Sequence, residues 1–489
     1  MTVLDASCSV LILKDGFATA AGRKAVRKLR VVIGSEIQIQ GSIPKNLLEW
    51  CEENMVVRNP EYANRKRRGL WTGNTAEFLW LYRVEGTNLI LPVGVGKQIR
   101  QFLGKEDQIS VDLADNGILD YQGDVSLYDY QEEAVEAMKH ASCGILQSPC
   151  GSGKTQMGIA LATKLKRRVL WITHTQDLLS QSKNRAEQYL PSEILGTITA
   201  GKVQIGSHMT FATVQTLSKL DLNQFRKTWD VIIVDECHRL AGSPTQVTMF
   251  YKVMNNLAAR YKYGLSATVH RSDGMIKSTF AVLGPVIYRV PDEAVADKTM
   301  QVRVCRRDTG IEINRSCLDT DGTLVYNELL SYLGESRERN ELIVNDLISQ
   351  NGHSCLVLAS RLEQLRNIRK MLPDELKEIS AMIDGSMTSK KGKAERELAI
   401  EDMRAGRKKI LFASFGLAKE GLDIPRLDRL FLVSPQKDYA VVTQSVGRIA
   451  RKAEGKTDAV CYDYVDEIQF CENQFKRRRT HYRKAGCAV

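Results

Sequence analysis

The chain has 489 residues, 43% hydrophobic and 26% charged, a composition of folded soluble protein with length for about three domains. No uninterrupted apolar run approaches the roughly 20 residues that span a bilayer, and the opening residues, with Asp5, Lys14 and Asp15 around a short apolar stretch, lack the features of a secretory signal. A cytoplasmic chain without membrane contact is expected, and its net charge of +11 favours a polyanionic partner. The eleven cysteines stand singly, with no Cys-x-x-Cys pair, so neither a zinc site nor a disulfide framework is predicted.

Residues 1–122 alternate short β-prone stretches, at 76–82 and 88–92, with one helical piece at 45–53, the pattern of a small α+β accessory domain. It carries a basic run, Arg65, Lys66, Arg67 and Arg68, near Trp71, Trp80 and Tyr82. Such cations can track a phosphate backbone and such rings stack on bases, although an aromatic core explains the rings equally well. From Gly144 the pattern changes to short apolar strands separated by helix-length segments, the signature of parallel sheets with crossover helices. Strands are predicted at 144–147, 169–173, 209–213, 231–234 and 263–266, and a second series at 354–359, 379–383, 409–413, 429–433 and 459–464. Two series imply two α/β lobes, residues 123–285 and 336–475, joined by a connecting segment, 286–335, and followed by a basic tail, 476–489.

In the first lobe the strand ending at Gln147 is followed by Ser148, Pro149, Cys150, Gly151, Ser152, Gly153, Lys154 and Thr155, then by a helical run. Strand, glycine-containing loop and helix in that order form a phosphate-binding loop, because its N–H groups face the phosphates at a positive helix end. Lys154 would reach the β and γ phosphates of ATP and Thr155 would place its hydroxyl on Mg²⁺. Ser148 stands where the usual first glycine would be. About eighty residues later an apolar strand ends in Asp235, Glu236, Cys237 and His238. Carboxylates at the carboxyl end of a parallel strand face the ligand crevice, so Asp235 can hold Mg²⁺ and Glu236 can orient and deprotonate the attacking water.

Asp-Glu-Cys-His, with Ser266-Ala267-Thr268 closing the next strand, resembles motifs II and III of superfamily-two DExH helicases. The resemblance covers about residues 123–470 and implies two tandem RecA-like lobes preceded by the accessory domain. It gives Ser266 and Thr268 the task of coupling hydrolysis to movement on nucleic acid, and His238 is read as a link from the ATP site to the second lobe rather than a merely packed histidine. Val269 to Gly274, including Arg271 and Asp273, is similar to the Thr-Pro-x-Arg-x-Asp-Gly of the XPB-type branch, and Arg271 is a candidate nucleic-acid contact. Leu127 to Gln131 resembles the Arg-Pro-Tyr-Gln start of that branch, and Gln131 would read adenine through its amide. Thr173 and Thr175 resemble motif Ia, Thr213 and Gln215 motif Ib, both contacts to one phosphate backbone. Gly416 to Pro425 resembles motif V, which brings Gly421 and Asp423 near the ribose of ATP.

Gln444, Gly447, Arg448 and Arg451 match motif VI at every fixed position. On a helix, Gln444, Arg448 and Arg451 share one face, so the arginines can act as fingers on a transferring phosphoryl group. Asn59 to Arg68 and Leu89 to Pro92 are also similar to the leading domain of phage branch-migration helicases. The resemblance therefore implies an ATP- and Mg²⁺-dependent DNA helicase or translocase for single-stranded, forked or junction DNA, in a bacterial or phage-infected cell. An RNA-directed DExH helicase and a nucleic-acid-sensing ATPase switch that does not unwind are the alternatives. No nuclease constellation is apparent.

Overall fold

The structure, a computed structural model, describes residues 28–489 apart from Cys150, His270, Ser272, Thr388, Glu420 and Gly421, and without the side chains of Ala296, Asp297, Lys298, Lys390, Ala418, Lys419 and Ala440. By contact it divides into two units: the residues before Pro149 with Lys154–Val290, and Pro291–Val489 with Pro149–Gly153.

The first unit begins with a five-stranded sheet in the order β5-β6-β2-β1-β7, built from β1 (Arg30–Ile33), β2 (Glu36–Gln40), β5 (Arg83–Glu85), β6 (Asn88–Pro92) and β7 (Gln108–Val111). Its members pair antiparallel except β1 with β7. Strand β2 has the period of two: Ile37 and Ile39 are buried while Gln38 is exposed. The helix Lys45–Asn54 covers that face through Leu47 and Cys51. A two-stranded ladder, β3 (Val56–Arg58) with β4 (Phe78–Trp80), frames the helix Pro60–Arg67.

This domain shares its core with the lobe that follows. Met275 and Ala281 join the same apolar cluster, and Lys262 Nζ donates to Ser35 O at 3.1 Å and Met254 O at 2.6 Å. Burial pushes the Lys262 ammonium down to about 8.

The lobe is an eight-stranded sheet, ordered β11-β10-β12-β9-β13-β14-β8-β15: β8 (Cys143–Gln147), β9 (Val169–Thr173), β10 (Leu195–Thr199), β11 (Lys202–Gln204), β12 (Met209–Thr213), β13 (Val231–Asp235), β14 (Tyr261–Ser266) and β15 (Val286–Arg289). All pairs are parallel except β10 with β11. Strands β9, β12 and β13 are buried along their whole length, as a sheet covered on both faces requires. The register sets Gln147 beside Ser266, Asp235 beside Leu265 and Thr173 beside Thr213, so the carboxyl ends of five strands lie along one edge. Ligands of such sheets bind at that edge.

The second unit holds a six-stranded, wholly parallel sheet, ordered β16-β21-β20-β17-β19-β18: β16 (Val302–Asp308), β17 (Cys355–Ala359), β18 (Ser380–Ile383), β19 (Ile410–Ser414), β20 (Arg429–Leu432) and β21 (Ala459–Val465). Residues 286–335, read from sequence as a connection, thus contain an edge strand of each lobe. Edge strands lack a neighbour on one side, and Arg303 and Arg307 interrupt the apolar run of β16.

The stretch read as a basic tail belongs to a helix, Gln469–Lys484. Within it Arg478 and Tyr482 are buried on Asp463, with Arg478 Nε and Nη2 each 2.8 Å from a carboxylate oxygen and the tyrosine hydroxyl at 2.7 Å. Across the sheet Arg339 and Asp466 form a second ion pair with no exposed side-chain surface, at 2.6 Å.

Candidate nucleotide site

The phosphate-binding loop leaves β8 at Gln147 and enters the helix Lys154–Leu165 at its lysine. Gly151 and Gly153 have φ of 84° and 83°, left-handed values that let the loop curl with its N–H groups inward. Ser148 is not among the residues with positive φ, so no glycine is needed there. Its N–H donates to Ser266 O at 3.0 Å, and its carbonyl accepts from Lys154 Nζ at 3.4 Å. Ser152 is buried, its hydroxyl donating to Pro149 O at 2.7 Å. Thr155 is half-buried in the first turn of the helix.

One strand away from β14 the carboxylates Asp235 and Glu236 end β13. Asp235 is buried, and burial with the neighbouring Glu236 charge pushes its carboxyl well above the ordinary carboxylate range, against the pull of Lys154. Glu236 has φ 50° and ψ 48°, a left-handed conformation that costs a non-glycine residue roughly 1–3 kcal/mol and that is concentrated at functional sites. That turn brings its carboxylate 3.2 Å from His238 Nδ1.

The same Nδ1 lies 3.0 Å from Ser266 Oγ, and the proton can be assigned from the network. The single Ser266 hydroxyl hydrogen goes to Thr268 O at 2.7 Å, while Ser266 Oγ accepts from Thr268 N at 3.2 Å. The remaining lone pair must therefore accept from His238, so Nδ1 carries the hydrogen. Ser266 thus touches the phosphate loop through its backbone carbonyl and both His238 and Thr268 through its hydroxyl.

One buried and one half-buried carboxyl group with one nearby ammonium leave room for further positive charge. Hard oxygen donors, the Asp235 carboxylate and the Thr155 hydroxyl, suit magnesium rather than a soft metal. Among the described residues no cluster of three or more His, Cys, Asp or Glu could hold a metal alone. A cation here would complete its shell from nucleotide phosphates and water, as Mg²⁺ does. The residues fit ATP with Mg²⁺.

In the second unit the motif VI segment forms the helix Tyr439–Ile449, capped by Asp438, which accepts from Val441 N at 2.9 Å. Gln444 is buried and Arg448 half-buried. The expectation that Arg451 shares their helical face is not met, because the helix ends at Ile449. Beyond the end Arg451 makes an isolated bridge with Thr299, and Lys456 Nζ gathers Ile449 O at 2.5 Å, Leu427 O at 2.6 Å and Arg451 O at 2.7 Å. The Arg451 guanidinium is paired with Asp423, the residue expected beside the ribose.

The residues from 124 to 271 match the family model described as "Type III restriction enzyme, res subunit", and residues 338–453 match "Helicase conserved C-terminal domain". The chain is a superfamily-two helicase. Its relatives include the DNA 3'-5' translocase XPB2 of Sulfurisphaera tokodaii, 26% identical over 394 residues that cover 73% of this chain and 85% of that protein. A protein of Acanthamoeba polyphaga mimivirus named as an ATP-dependent RNA helicase is 27% identical over 362 residues, covering 72% of this chain and 66% of its own length. Among solved structures, the type ISP restriction-modification enzyme LlaBIII bound to DNA shares the fold over 80% of this chain and 32% of that chain, with a TM-score of 0.53 at 18% identity.

For this helicase the structure gathers Lys154, Asp235, Glu236, His238, Ser266 and Thr268 at one sheet edge. Cys150 and Gly421 lie outside the described residues. Gln131 is buried, and its Oε1 accepts from Tyr128 N at 3.0 Å in a capping box, so the side chain closes its own helix start. Of the five residues expected along the nucleic-acid path, Thr173 and Thr213 are buried, their hydroxyls spent on Thr175 O and Thr216 Oγ1. Thr175 is half-buried and Gln215 exposed.

Arg271, the fifth expected contact, is bonded within its own lobe. Its Nη1 donates to His238 O at 2.7 Å and its fork clasps Asp273, which braces the His238 turn. Sequence reasoning missed Lys456, whose signal is a cation shortly after a helix end, and read Ser148 and Asp273 as motif positions without their partners.

Proposed function

We propose that the chain couples ATP hydrolysis to movement along DNA and separates or migrates forked or branched strands. The observation carrying this reading is the Ser266 junction, which ties the phosphate loop, the carboxylate turn and Thr268 through direct hydrogen bonds. A change at the γ-phosphate therefore has a short path to the edge that bears Thr175 and Gln215.

In this reading Lys154 binds the β and γ phosphates, and Thr155 and Asp235 hold Mg²⁺, which neutralises phosphate charge. Glu236 orients the attacking water and accepts its proton, its carboxylate lying 3.2 Å from His238 Nδ1. Arg448 and Arg451 supply guanidinium charge to the transferring phosphoryl group, and Asp423 sets the Arg451 side chain. Ser266 and Thr268 pass the hydrolytic state to the strand-contacting edge.

DNA rather than RNA is favoured by the relative named as a DNA translocase, of which the aligned part covers 85%. The test is ATPase stimulation by single-stranded DNA, duplex DNA, a four-way junction and RNA, together with strand displacement on matched DNA and RNA forks. Stimulation and displacement with DNA are expected. Stimulation by RNA alone would move the assignment to RNA, and stimulation without displacement on any fork would leave an ATPase switch.

A further inference from the structure

The ATP chemistry makes no use of one surface of the N-terminal domain. The helix Pro60–Arg67 buries none of its residues, and its last turn leads through Arg65, Lys66 and Arg67 into Arg68 and Trp71. The chain has five tryptophans. Trp171 and Trp229 are buried and Trp50 and Trp80 partly so, while Trp71 is 83% exposed.

Its loop is nonetheless built. Arg65, paired with Glu61, donates from Nη1 to Trp71 O at 3.3 Å. Leu70 N donates to Arg65 O at 2.9 Å, and the loop closes with Thr75 N on Thr72 O at 2.9 Å. At the base Asn59 caps the helix and ties Ala76 O and Glu77 O at 2.9 and 2.8 Å. Gly73, with φ of 47°, lies against the ring so closely that a Cβ there would stand 2.7 Å from it. One side of the indole is therefore backed by its own loop, and most of the ring meets solvent.

A large apolar ring held in water by a braced loop does nothing for the core. Trp80 and Tyr82, by contrast, pack in the domain's apolar cluster. The cations beside Trp71 differ in what they do: Arg65 is spent on the loop, while Lys66, Arg67 and Arg68 are solvent-facing. An aromatic face with adjoining cations is the chemistry that stacks an unpaired base and meets its phosphates.

We propose that Trp71 is a base-stacking platform for single-stranded DNA, with Lys66, Arg67 and Arg68 meeting the backbone on either side of the stacked nucleotide. It rests on the nucleic-acid reading of the motor and adds a contact on a different domain. The N-terminal domain then holds the unpaired strand at a fork.

Because Trp71 is the one exposed tryptophan among the described residues, the intrinsic fluorescence of the full chain reports on it. Titration with an oligo-dT strand is expected to quench the solvent-exposed emission, and the quench should vanish in Trp71→Ala. That variant should bind the strand about 10-fold more weakly. Replacing Lys66, Arg67 and Arg68 together by Ala should lower the slope of log K against log salt by about 2. Unquenched Trp71 emission at a strand concentration that saturates ATPase stimulation would overturn the proposal and leave the motor reading standing. Unchanged affinity in Trp71→Ala would do the same. Absence of any DNA stimulation in the wild type would instead sink the motor reading.

Discussion

Lys456→Met isolates the placement of Arg451 from its charge. The ammonium donates to three carbonyls, at Leu427, Ile449 and Arg451, and so fastens the end of the motif VI helix to the loop after Asp423. Methionine keeps the stem and leaves those carbonyls to water or to nothing. Each orphaned buried acceptor costs roughly 1–3 kcal/mol, and the three share one donor and partial solvent access, so about 2–4 kcal/mol of stability is expected to go. The larger effect falls on turnover. A misplacement of about 1 Å at a charge-stabilising group costs up to ~100-fold, so kcat should drop about 10- to 100-fold while KM for ATP moves by less than ~3-fold.

The pH profile separates this from simple unfolding. Burial pushes Lys456 from 10.5 down to about 8, with Asp428 and Asp458 opposing that fall and Arg451 and Arg429 adding to it. The folded pKa lies below the unfolded one, so between about 8 and 10.5 unfolding takes up a proton and this group's contribution to stability rises with pH. The clamp needs the ammonium, so wild-type kcat should fall above pH about 8 without a matching loss of thermal stability from this group. Steady-state ATPase from pH 6.5 to 9.5, with thermal melts at each pH, reads both. An unchanged kcat in Lys456→Met beside a lowered melting temperature would refute the positioning argument.

Arg339→Leu leaves Asp466 charged and buried, and urea unfolding should report a loss of about 3–5 kcal/mol in the second lobe. Arg451→Ala should bind ATP within a few-fold of wild type in equilibrium dialysis yet turn it over at least ~1000-fold more slowly, and wild-type turnover would remove it from the phosphoryl-stabilising role. Ser266→Ala deletes the acceptor of His238 Nδ1 and Thr268 N, so DNA-stimulated ATPase should persist within about 10-fold while strand displacement is lost. Equal loss of both activities would place Ser266 in hydrolysis rather than in coupling.

Much of the fold was legible because parallel strands buried on both faces write an unbroken apolar run. Val231 to Val234 and Val169 to Thr173 could be bounded to within a residue for that reason. In the two lobes the strands that escaped are edges or interrupted ones: β10 contains a glycine and two threonines, β15 is half-exposed, and β16 mixes valine with arginine. The helix Gln469–Lys484 hid behind its cations, although Cys471, Phe475, Arg478 and Tyr482 recur at helical spacing on the buried side.

At the nucleotide site the residue types announced the chemistry, and the partners were invisible. Nothing in the order of residues says that Ser266 takes the His238 hydrogen, that Arg271 turns back onto Asp273, or that Asp423 pairs with Arg451. Nor does spacing reveal where a helix stops. Motif VI reads as a continuous helical face from Gln444 to Arg451, whereas the helix stops at Ile449, where Met300 N and Lys456 Nζ take the carbonyls of Ala450 and Ile449.

The most direct test is ATP turnover by the wild type and by Glu236→Gln, each with and without single-stranded DNA. The account predicts that DNA raises wild-type kcat at least about 10-fold, and that Glu236→Gln still binds ATP and DNA but loses ~100- to 10,000-fold in kcat. Full DNA-stimulated turnover in Glu236→Gln would contradict it.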